Sequence, residues 1–357
     1  MILVAGGAGF IGSNLVQYWL ESTDETVINV DKLTYAGNLQ NLSPIMPNQR
    51  HVFVEADIGD VQTISRLLTK YRPRAVLNLA AESHVDRSID DPDAFIQTNV
   101  VGTMRLLKAV GAYWSELSGD EKANYRFLHV STDEVYGSLA VGDPPSTEAS
   151  RYAPNNPYSA SKAASDHLVR AFHQTYGLPV LTTNCCNNYG PRQFPEKLIP
   201  VAIQSALGDR PIPVYGDGEN IRDWLHVRDH CAAVRCVLER GRPGEVYNIS
   251  AVTERSNIDV VRLICTILDD EQPRTDGRSY WDQITFVEDR PGHDRRYAID
   301  PGKIERELGW TAQESFESGL RETIRWYLAN QDWVTNVLSG AYRDRITYRY
   351  ESRVGTA

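Results

Sequence analysis

A glycine-rich stretch near the amino end, Val4-Ala5-Gly6-Gly7-Ala8-Gly9-Phe10-Ile11-Gly12, follows the first apolar run of the chain and opens a helical pattern. Its glycines satisfy two spacings at once, G-x-x-G-x-x-G from Gly6 and G-x-G-x-x-G from Gly7. Glycine permits a tight turn and lets the backbone approach a pyrophosphate closely. The free N–H groups at the start of the following helix add a positive dipole end. This stretch therefore predicts a strand–turn–helix unit that binds a dinucleotide.

The segments around this turn alternate short apolar runs with helical patterns. Strands without polar alternation predict a sheet with both faces covered, and alternating β and α units predict that the sheet is parallel. We expect an α/β fold with a Rossmann-like, doubly wound parallel sheet over residues 1–185. The predicted strands are Ile2–Ala5, Val27–Val30, His51–Glu55, Ala75–Leu79, Arg126–Ser131 and Val180–Asn184.

The texture of the sequence changes after Tyr189, where Pro and Gly become denser. We predict a smaller α/β substrate-binding cap domain at residues 186–330, because long loops over a rigid scaffold usually carry ligand sites. Residues near 222–240 are expected to return to the first domain, and residues 331–357 to form a polar tail with weak patterning. Helices are predicted near Leu198–Leu207, Arg228–Glu239, Asn257–Leu268 and Phe316–Asn330.

Composition limits the class of protein. The chain has 357 residues, enough for two domains, and a net charge of -10, which opposes binding to nucleic-acid phosphates. No apolar run approaches the ~20 residues that span a bilayer, and the amino end resembles a buried strand more than a signal peptide. The five cysteines form no C-x-x-C pair. They indicate reduced, buried thiols and a cytoplasmic location.

The end of the second strand carries the expected cofactor selector. Asp31 lies about 20 residues after Gly12, where an acidic side chain accepts hydrogen bonds from the adenosine ribose. A carboxylate there repels a 2′-phosphate, so NAD is favoured over NADP, although the adjacent Lys32 weakens that preference. Asp57 and Ile58 fit the edge of an adenine pocket; the alternative for Asp57 is an ordinary helix N-cap.

A tyrosine and a lysine share one helix face in Tyr158-Ser159-Ala160-Ser161-Lys162, since residues four apart are neighbours. A nearby ammonium favours the phenolate, so we expect a lowered pKa for Tyr158. Such a tyrosine can accept a hydroxyl proton as a general base.

Polar residues also follow the predicted fifth strand, in Ser131-Thr132-Asp133-Glu134. Ligands of open α/β sheets bind outside the carboxyl ends of strands. Two adjacent carboxyls there can serve as acid and base if their pKa values separate. The alternative is a capped turn with solvated acids.

Together the glycine turn, Asp31 and the Tyr158–Lys162 pair resemble the short-chain dehydrogenase/reductases, in the extended branch that adds a nucleotide-sugar domain. A narrower resemblance, to the dTDP-glucose 4,6-dehydratases, runs from Ile2 to about Tyr342. It rests on segments 80–88, Thr132-Asp133-Glu134, 184–198 and 289–297. The chain departs at Ala5, where the branch often has Thr, and at Cys186, where Ser is expected.

The resemblance implies a role in the reaction for several of these side chains. Tyr158, with Lys162, takes the C4 hydroxyl proton as hydride passes to NAD. Glu134 then removes the C5 proton, and a protonated Asp133 assists loss of the C6 hydroxyl. Thr132 and Ser83 orient the sugar. NAD is regenerated and should stay bound, and no metal is needed because the ketone is the electron sink.

The resemblance also implies binding residues for dTDP-glucose and for the cofactor. The cofactor set is Gly6, Gly9, Phe10, Ile11, Gly12, Asp31, Lys32, Leu33, Thr34, Asp57, Ile58, Leu79, Ala80, Ala81, Ser83, Thr98, Tyr158, Lys162 and Asn188. The substrate set is Ser83, Thr132, Asn187, Lys197, Leu198, Pro213, Tyr215, Arg222, Asn257, Arg290 and His293. Without the resemblance, Arg222 and Arg290 fit surface ion pairs equally well. His84 and His226 are expected to be structural, and Asn99 to brace the cofactor side.

Relatives pack the helices around Asp93–Tyr113 and Tyr158–Tyr176 into a dimer interface, so we expect a homodimer; these apolar stripes could instead be intrachain core. Other enzyme readings are a different nucleotide-sugar dehydratase or a C4 epimerase, against which Asp133 beside Glu134 argues. The alternative that is not an enzyme is a sensor that binds a dinucleotide without catalysis.

Overall fold

The computed structural model describes residues 1–289 and 291–340. Within them, seven strands form one wholly parallel sheet in the order β10-β6-β5-β4-β1-β2-β3. These strands are β1 (Ile2–Ala5), β2 (Val27–Asp31), β3 (His51–Glu55), β4 (Ala75–Asn78), β5 (Arg126–Thr132), β6 (Val180–Cys185) and β10 (Val246–Ile249). The predicted strands are present with ends that move by at most about one residue.

Helices cover both faces of this sheet. On β1, Ile2 and Val4 join one core cluster while Leu3 and Ala5 join another, as the two-residue period of a strand requires. The first cluster is covered by α1 (Phe10–Ser22), α9 (Val227–Arg240) and α11 (Gly302–Leu308). The second is covered by α2 (Val61–Tyr71), α5 (Thr103–Glu116) and α7 (Pro157–Tyr176). The fold is therefore Rossmann-like and doubly wound, as predicted.

The sheet is completed from the later half of the chain. Strand β10 pairs with β6 in parallel, from Val246 opposite Thr182 to Ile249 opposite Cys185, and α9 packs against α1. The return to the sheet thus includes a strand beyond the predicted segment. Shorter helices in the first half are α3 (Val85–Asp90), α4 (Pro92–Phe95) and α6 (Gly119–Asn124), with a π-helical stretch at Ile96–Gly102 and 3-10 turns at Leu39–Leu42 and Asp133–Tyr136.

A second, smaller layer has its own core. A three-stranded sheet in the order β11-β9-β7 and a β12-β8 pair lie beside helices whose apolar faces form one cluster. The strands are β7 (Asn187–Tyr189), β8 (Ile212–Tyr215), β9 (Ile221–His226), β11 (Glu254–Ser256) and β12 (Ile284–Val287). The helices are α8 (Leu198–Leu207), α10 (Asn257–Glu271), α12 (Phe316–Ala329) and α13 (Gln331–Ser339), with a 3-10 turn at Tyr280–Gln283.

Helix α13 differs from the weakly patterned tail that the sequence predicted from Trp333 onward. Trp333, Val334 and Val337 are buried on one face of this helix. The Trp333 indole N–H also donates to Asn41 Oδ1 at 2.8 Å, which ties α13 to the amino-terminal half. The sequence signal for this helix was a set of apolar residues spanning about one turn. That stretch is too short to stand out among the polar residues around it. The rest of the tail, residues 341–357, lies outside the described residues.

The apolar stripes of α5 and α7 lie mainly inside this chain. Leu106, Leu107 and Val110 of α5 and Val169 of α7 are buried in the core. We expected that these helices would expose apolar stripes to solvent if the chain were alone. That expectation is wrong for these residues, which belong to the core of the chain, as the alternative stated. Across the described part of the chain, the helices all lack the length or apolar character of a membrane span.

Candidate active site

The predicted glycine turn joins β1 to α1 beneath a deep cleft. Gly6 has φ +82°, and a Cβ there would come within 2.6 Å of the Ala80 nitrogen. A Cβ on Gly12 would lie 2.1 Å from the Gly6 carbonyl oxygen. Gly9 is the N-cap of α1 and has no side chain to bond the first N–H groups of the helix. Glycine is thus required for the turn, and the helix N-terminus presents donors to the cleft.

Asp31 is fixed at the end of β2 by the backbone. Its Oδ2 accepts from the Ala8 N–H at 2.9 Å and its Oδ1 from the Leu33 N–H at 2.8 Å. Burial raises the pKa of Asp31, while these two hydrogen bonds and nearby Lys32 oppose the rise. A carboxylate oxygen has lone pairs left for further donors. The side chain is therefore oriented to receive the hydroxyls of a ribose.

Lys32 has a hydroxyl and a carboxylate as neighbours. Its Nζ donates to Thr98 Oγ1 at 3.2 Å and lies 3.5 Å from Asp57 Oδ2. Asp57 is not the N-cap of α2, because Asp60 takes that role by accepting from the Thr63 N–H. The lysine charge is thus paired with that of a part-exposed carboxylate.

One continuous cleft collects most of the predicted cofactor residues. Leu33 and Asp57 are the predicted members that do not line it, although both flank residues that do. The lining members are Gly6, Gly9, Phe10, Ile11, Gly12, Asp31, Lys32, Thr34, Ile58, Leu79, Ala80, Ala81, Ser83, Thr98, Tyr158, Lys162 and Asn188.

The same cleft contains the carboxylate pair. Strand β5 ends at Thr132, and a 3-10 turn places Asp133 and Glu134 at the carboxyl edge of the sheet. Thr132 Oγ1 accepts from the Glu134 N–H and donates to Asp133 Oδ1, both at 3.3 Å. Thr132, Asp133 and Glu134 all line the cleft. The alternative of a solvated, capped turn does not describe Asp133, which is buried.

Asp133 has the environment of a proton donor. Burial, followed by the charges of Glu134 and Asp223, raises its pKa well above the usual range. Its Oδ2 is buried and has no hydrogen-bond partner among the described residues. A buried polar atom without a partner is costly, and a protonated carboxyl that awaits a ligand oxygen explains this one.

Tyr158 and Lys162 face the cleft from the first turns of α7. Lys162 Nζ donates to the Val130 carbonyl at 2.8 Å, and Thr132 is close enough to the Tyr158 hydroxyl to act on its pKa. The lowered pKa that we expected for Tyr158 is wrong for the ligand-free protein: burial first, then the charge of Glu134, raise it well above its ordinary value. Lys162 is itself buried, and burial lowers its pKa.

Two asparagine side chains fix the segments around Tyr158 and Glu134 by hydrogen bonds. Asn156 caps α7 in a capping box with Ser159, and its Nδ2 lies 3.4 Å from Glu134 Oε2. Asn99, expected to brace the cofactor side, bonds both backbone groups of Glu82 and donates to Ser161 Oγ at 2.8 Å. The sequence analysis missed Asn156, although its place before Pro157 was an N-cap signal.

The predicted substrate residues divide into two groups. Ser83, Thr132, Asn187 and Lys197 line the cleft, where Lys197 Nζ donates to the Ser83 carbonyl at 2.8 Å. The remainder lie in the smaller layer. These are Leu198 at the start of α8, Pro213 and Tyr215 on β8, Arg222 on β9, Asn257 at the start of α10, and His293. Arg290 lies outside the described residues.

Arg222 is a buried cation, not a surface ion-pair residue. Its guanidinium lies 4.4 Å from the centre of the Tyr297 ring and donates to the carbonyls of Ile221 and Asp294. Its charge acts on the pKa of Asp133, so it lies near the catalytic edge. Beside it, His293 Nδ1 contacts Asp289 Oδ1 at 2.6 Å and the His293 ring meets Tyr215.

A cluster of Tyr35, Arg87 and Glu196 joins loops from both parts of the chain. The Arg87 guanidinium stacks 3.8 Å from the Tyr35 ring centre, and its Nε lies 3.7 Å from Glu196 Oε2. Glu196 lines the cleft, as do Phe194 and Gln193 from the same loop. Sequence reasoning missed these residues because ordinary loop positions carry no periodic signal.

The cysteines are free and buried, as expected for small apolar residues. Cys185 and Cys186 line the cleft, and burial raises the pKa of the Cys185 thiol to about 12. Both histidines expected to be structural have such roles. His84 caps α3, and the His226 ring packs edge-on against Tyr189.

Comparison with known proteins agrees with this geometry. A family model described as GDP-mannose 4,6 dehydratase matches residues 3–323. A dTDP-glucose 4,6-dehydratase of Xanthomonas campestris pv. campestris is 60% identical over 343 residues, which cover 96% of this chain and 97% of that protein. The chain belongs to the dTDP-glucose 4,6-dehydratase family.

Two further members of the dTDP-glucose 4,6-dehydratase family support the assignment. The Salmonella typhimurium protein is 57% identical over 360 residues, 99% of both chains. The crystal structure of DesIV from Streptomyces venezuelae, determined with NAD bound, matches with a TM-score of 0.85 and 45% identity. That match covers 94% of this chain and 99% of DesIV.

Proposed function

We propose that this protein is a dTDP-glucose 4,6-dehydratase, an NAD-dependent hydro-lyase that forms dTDP-4-keto-6-deoxyglucose and water. One observation carries the proposal: a buried carboxyl, Asp133, and a second carboxylate, Glu134, share a cleft with Tyr158 and Lys162 beside a dinucleotide turn. The first pair suits acid–base elimination, and the second suits oxidation of a hydroxyl.

The cleft fits NAD. The glycine cradle leaves no room for a Cβ at Gly12 and offers the N-terminus of α1 to a pyrophosphate. The Asp31 carboxylate suits a ribose diol and opposes a 2′-phosphate. When bound, NAD supplies the hydride acceptor for C4 of the sugar and, once reduced, the hydride donor for C6.

Tyr158 acts first as the general base. Its hydroxyl sits in the cleft beside Thr132 and takes the proton of the C4 hydroxyl as C4 becomes a ketone. Burial and the charge of Glu134 raise its pKa. The buried ammonium of Lys162 and a cationic nicotinamide both favour the phenolate. The base is therefore activated only in the loaded site.

Glu134 and Asp133 act next. A C4 ketone acidifies the C5 hydrogen, and Glu134 accepts that proton. Asp133, whose raised pKa keeps it protonated, donates to the C6 hydroxyl, which leaves as water. The adjacent positions on one 3-10 turn let two side chains address two carbon atoms. Over the cycle the protons balance: the departing water carries the Asp133 proton, and the C5 proton returns from Glu134 to C5. The C4 hydroxyl proton held by Tyr158 is then released to solvent, from which Asp133 takes a proton in exchange.

The diphosphate is held by the substrate residues of both layers. Arg222 is buried near Asp133, and Asn187 and Lys197 line the cleft. Arginine suits a phosphate because its planar donors bind two oxygens at once. Among the described residues, we assign Leu198, Pro213, Tyr215, Asn257 and His293 to the nucleotide end of the same site.

The test is incubation of the purified protein with dTDP-glucose, followed by the ultraviolet chromophore that 4-keto sugars develop in alkali. We expect the chromophore with dTDP-glucose and none with the Tyr158→Phe variant. A C4 epimer without the chromophore would indicate an epimerase. Turnover of GDP-mannose in place of dTDP-glucose would indicate another dehydratase, and cofactor binding without any turnover would indicate a sensor.

We also propose the division of labour along the chain, with residues 1–185 and the returning segment near 222–240 holding NAD and residues 186–330 holding the nucleotide sugar. Residues 331–357 form the tail that begins with α13. A cytoplasmic location suits the free thiols. Limited proteolysis with and without dTDP tests the division, since the nucleotide should protect the later segment selectively.

A homodimer is our proposal for the assembly. Ile89 and Ile96 are 39% and 42% exposed beside α7, although most of the neighbouring apolar stripe is internal. Light scattering after gel filtration should give twice the chain mass, and Ile96→Glu should shift it toward the monomer. A monomer at all concentrations would contradict the proposal.

A further inference from the structure

Behind Lys162 lies a buried polar cluster in which Asp166 and His129 do not line the cleft. Lys162 and Asp166 are one turn apart on α7, and both lie against β5. Lys162 Nζ donates to the Val130 carbonyl at 2.8 Å. Asp166 Oδ2 accepts from Ser131 Oγ at 2.8 Å, and its Oδ1 lies 3.3 Å from His129 Nε2. Three successive residues of β5, His129 to Ser131, therefore contact either Lys162 or Asp166.

The polar side chains that approach Asp166 from β5 are uncharged. Asn78 Nδ2 lies 3.2 Å from His129 Nδ1. An amide nitrogen is a donor only, so Nδ1 accepts and the ring hydrogen is on Nε2, facing Asp166. Burial lowers the pKa of His129, which keeps the ring neutral. Asp166 is thus the carboxylate in a dry cluster whose donors are neutral.

The charged and titratable groups around the pair come from several elements. Lys162 is influenced by Asp166 and Cys185, and His129 by both charges. The remaining members are Tyr136 and Tyr152, which feel the charge of Asp166, and Tyr158 on the same helix. Asp166 is the one carboxylate that acts on Lys162 among these described groups.

We propose that Asp166 is a positioning residue for the oxidation step: its buried carboxylate, held by the Ser131 hydroxyl and facing His129, is the counter-ion that keeps Lys162 charged beside Tyr158. A lone ammonium is expensive to bury, and an opposite charge one helical turn away offsets that cost. Asp166 acts through Lys162, because it does not line the cleft. This role rests on the proposed function only in its kinetic consequence.

The direct test measures the charge on Lys162 without catalysis. Cyanate reacts only with a neutral amine, and Lys162 lines the cleft. Peptide mass spectrometry gives the fraction of Lys162 carbamoylated at each pH. With Asp166→Asn, we expect the midpoint to fall by about one pH unit, a tenfold change in the protonation equilibrium. Ser131→Ala is the matched control, since it removes one hydrogen bond but keeps the charge, and its midpoint should stay near that of the parent.

The kinetic test uses the formation of reduced cofactor on mixing with dTDP-glucose. In Asp166→Asn, the pH at which the rate of this formation falls on the alkaline side should move down by the same amount. KM should stay nearly unchanged. Asp166→Ser, a smaller neutral side chain that still offers a hydroxyl to Ser131, is the second variant if the first does not fold. A folded neutral variant whose Lys162 midpoint equals that of the parent would overturn the proposal. A shifted midpoint in a protein without dehydratase activity would instead refute the proposed function alone.

Discussion

Asn156 contacts Glu134 with one end of its amide and caps the catalytic helix with the other. Its Nδ2 lies 3.4 Å from Glu134 Oε2, and its Oδ1 accepts from the Ser159 N–H at 2.8 Å. The side chain therefore links the base that serves C5 to the helix that carries Tyr158. Two steps of one reaction share a single orienting residue.

Asn156→Ser should separate these two functions. Serine is a good N-cap, so stability should change by well under the ~1 kcal/mol that loss of a cap costs. The shorter side chain cannot reach Glu134, and elimination should slow roughly tenfold, the loss of one hydrogen bond to a charged group. Deuterium exchange at C5 and thermal melting measure the two effects. Equal exchange rates in variant and parent would show that the Glu134 contact has no kinetic role.

Glu134→Gln should separate oxidation from dehydration. The C5 hydrogen is acidic only after C4 is a ketone, so reduced cofactor should accumulate while elimination slows by about 10²-fold or more. The variant should also stop exchanging C5 hydrogen with deuterated solvent. Asp133→Asn is the comparison variant: it should impair loss of the C6 hydroxyl but leave C5 exchange comparatively intact. Dehydration at the parent rate in Glu134→Gln would end the assignment of this base.

Tyr158→Phe should remove the first proton acceptor while its ring still packs against Phe95, whose centroid is 6.3 Å away. General bases contribute about 10² to 10⁴ in rate. Rapid mixing with dTDP-glucose should therefore show correspondingly slower formation of reduced cofactor. Unchanged formation would exclude Tyr158 as that base.

Asp31→Ala should yield protein with little retained NAD. The variant loses both the ribose acceptor and the hydrogen bonds that order Ala8 and Leu33. Nucleotide released on denaturation, quantified by chromatography, gives the retained fraction. Asp57→Ala, at a neighbouring exposed carboxylate, is the control and should retain more. Release of mainly NADP from the parent protein would contradict the selectivity argument.

The elimination step should weaken as pH rises. Asp133 must be protonated to donate, and burial with neighbouring carboxylates raises its pKa. A raised pKa means that the active form is complete at low pH and is lost as pH passes upward through that pKa. Single-turnover elimination measured across pH should show this alkaline loss, and Asp133→Asn should abolish that dependence. A rate that rises throughout the alkaline range would indicate an ionised Asp133.

Periodicity and turn chemistry predicted the scaffold well. The run from Gly6 to Gly12 requires its conformation for steric reasons, and the apolar strands could be covered only on both faces. Such features are local, so one sequence suffices to find them. The helix at Trp333 was missed because its few apolar residues are buried by other helices of the smaller layer, and its indole bonds Asn41, which is distant in sequence.

The site was less accessible to sequence reasoning where it depends on long-range placement. Burial of Asp133 near Asp223, and of Arg222 near Tyr297, follows from how two layers meet, and no spacing encodes it. The direction of the pKa shift of Tyr158 was wrong for the same reason. The Tyr158–Lys162 spacing was visible, but the desolvation of the pocket and the approach of Glu134 were not.

The stacked Tyr35 and Arg87 approach Glu196, which lines the cleft, so side chains from both parts of the chain meet at its edge. An enzyme that restores its own electron carrier in every cycle gains nothing from exchanging it. A carrier that stays in place through every cycle is insulated from the surrounding nicotinamide pool. We therefore expect deoxysugar output to follow the supply of sugar nucleotide and to be indifferent to the respiratory state of the cell.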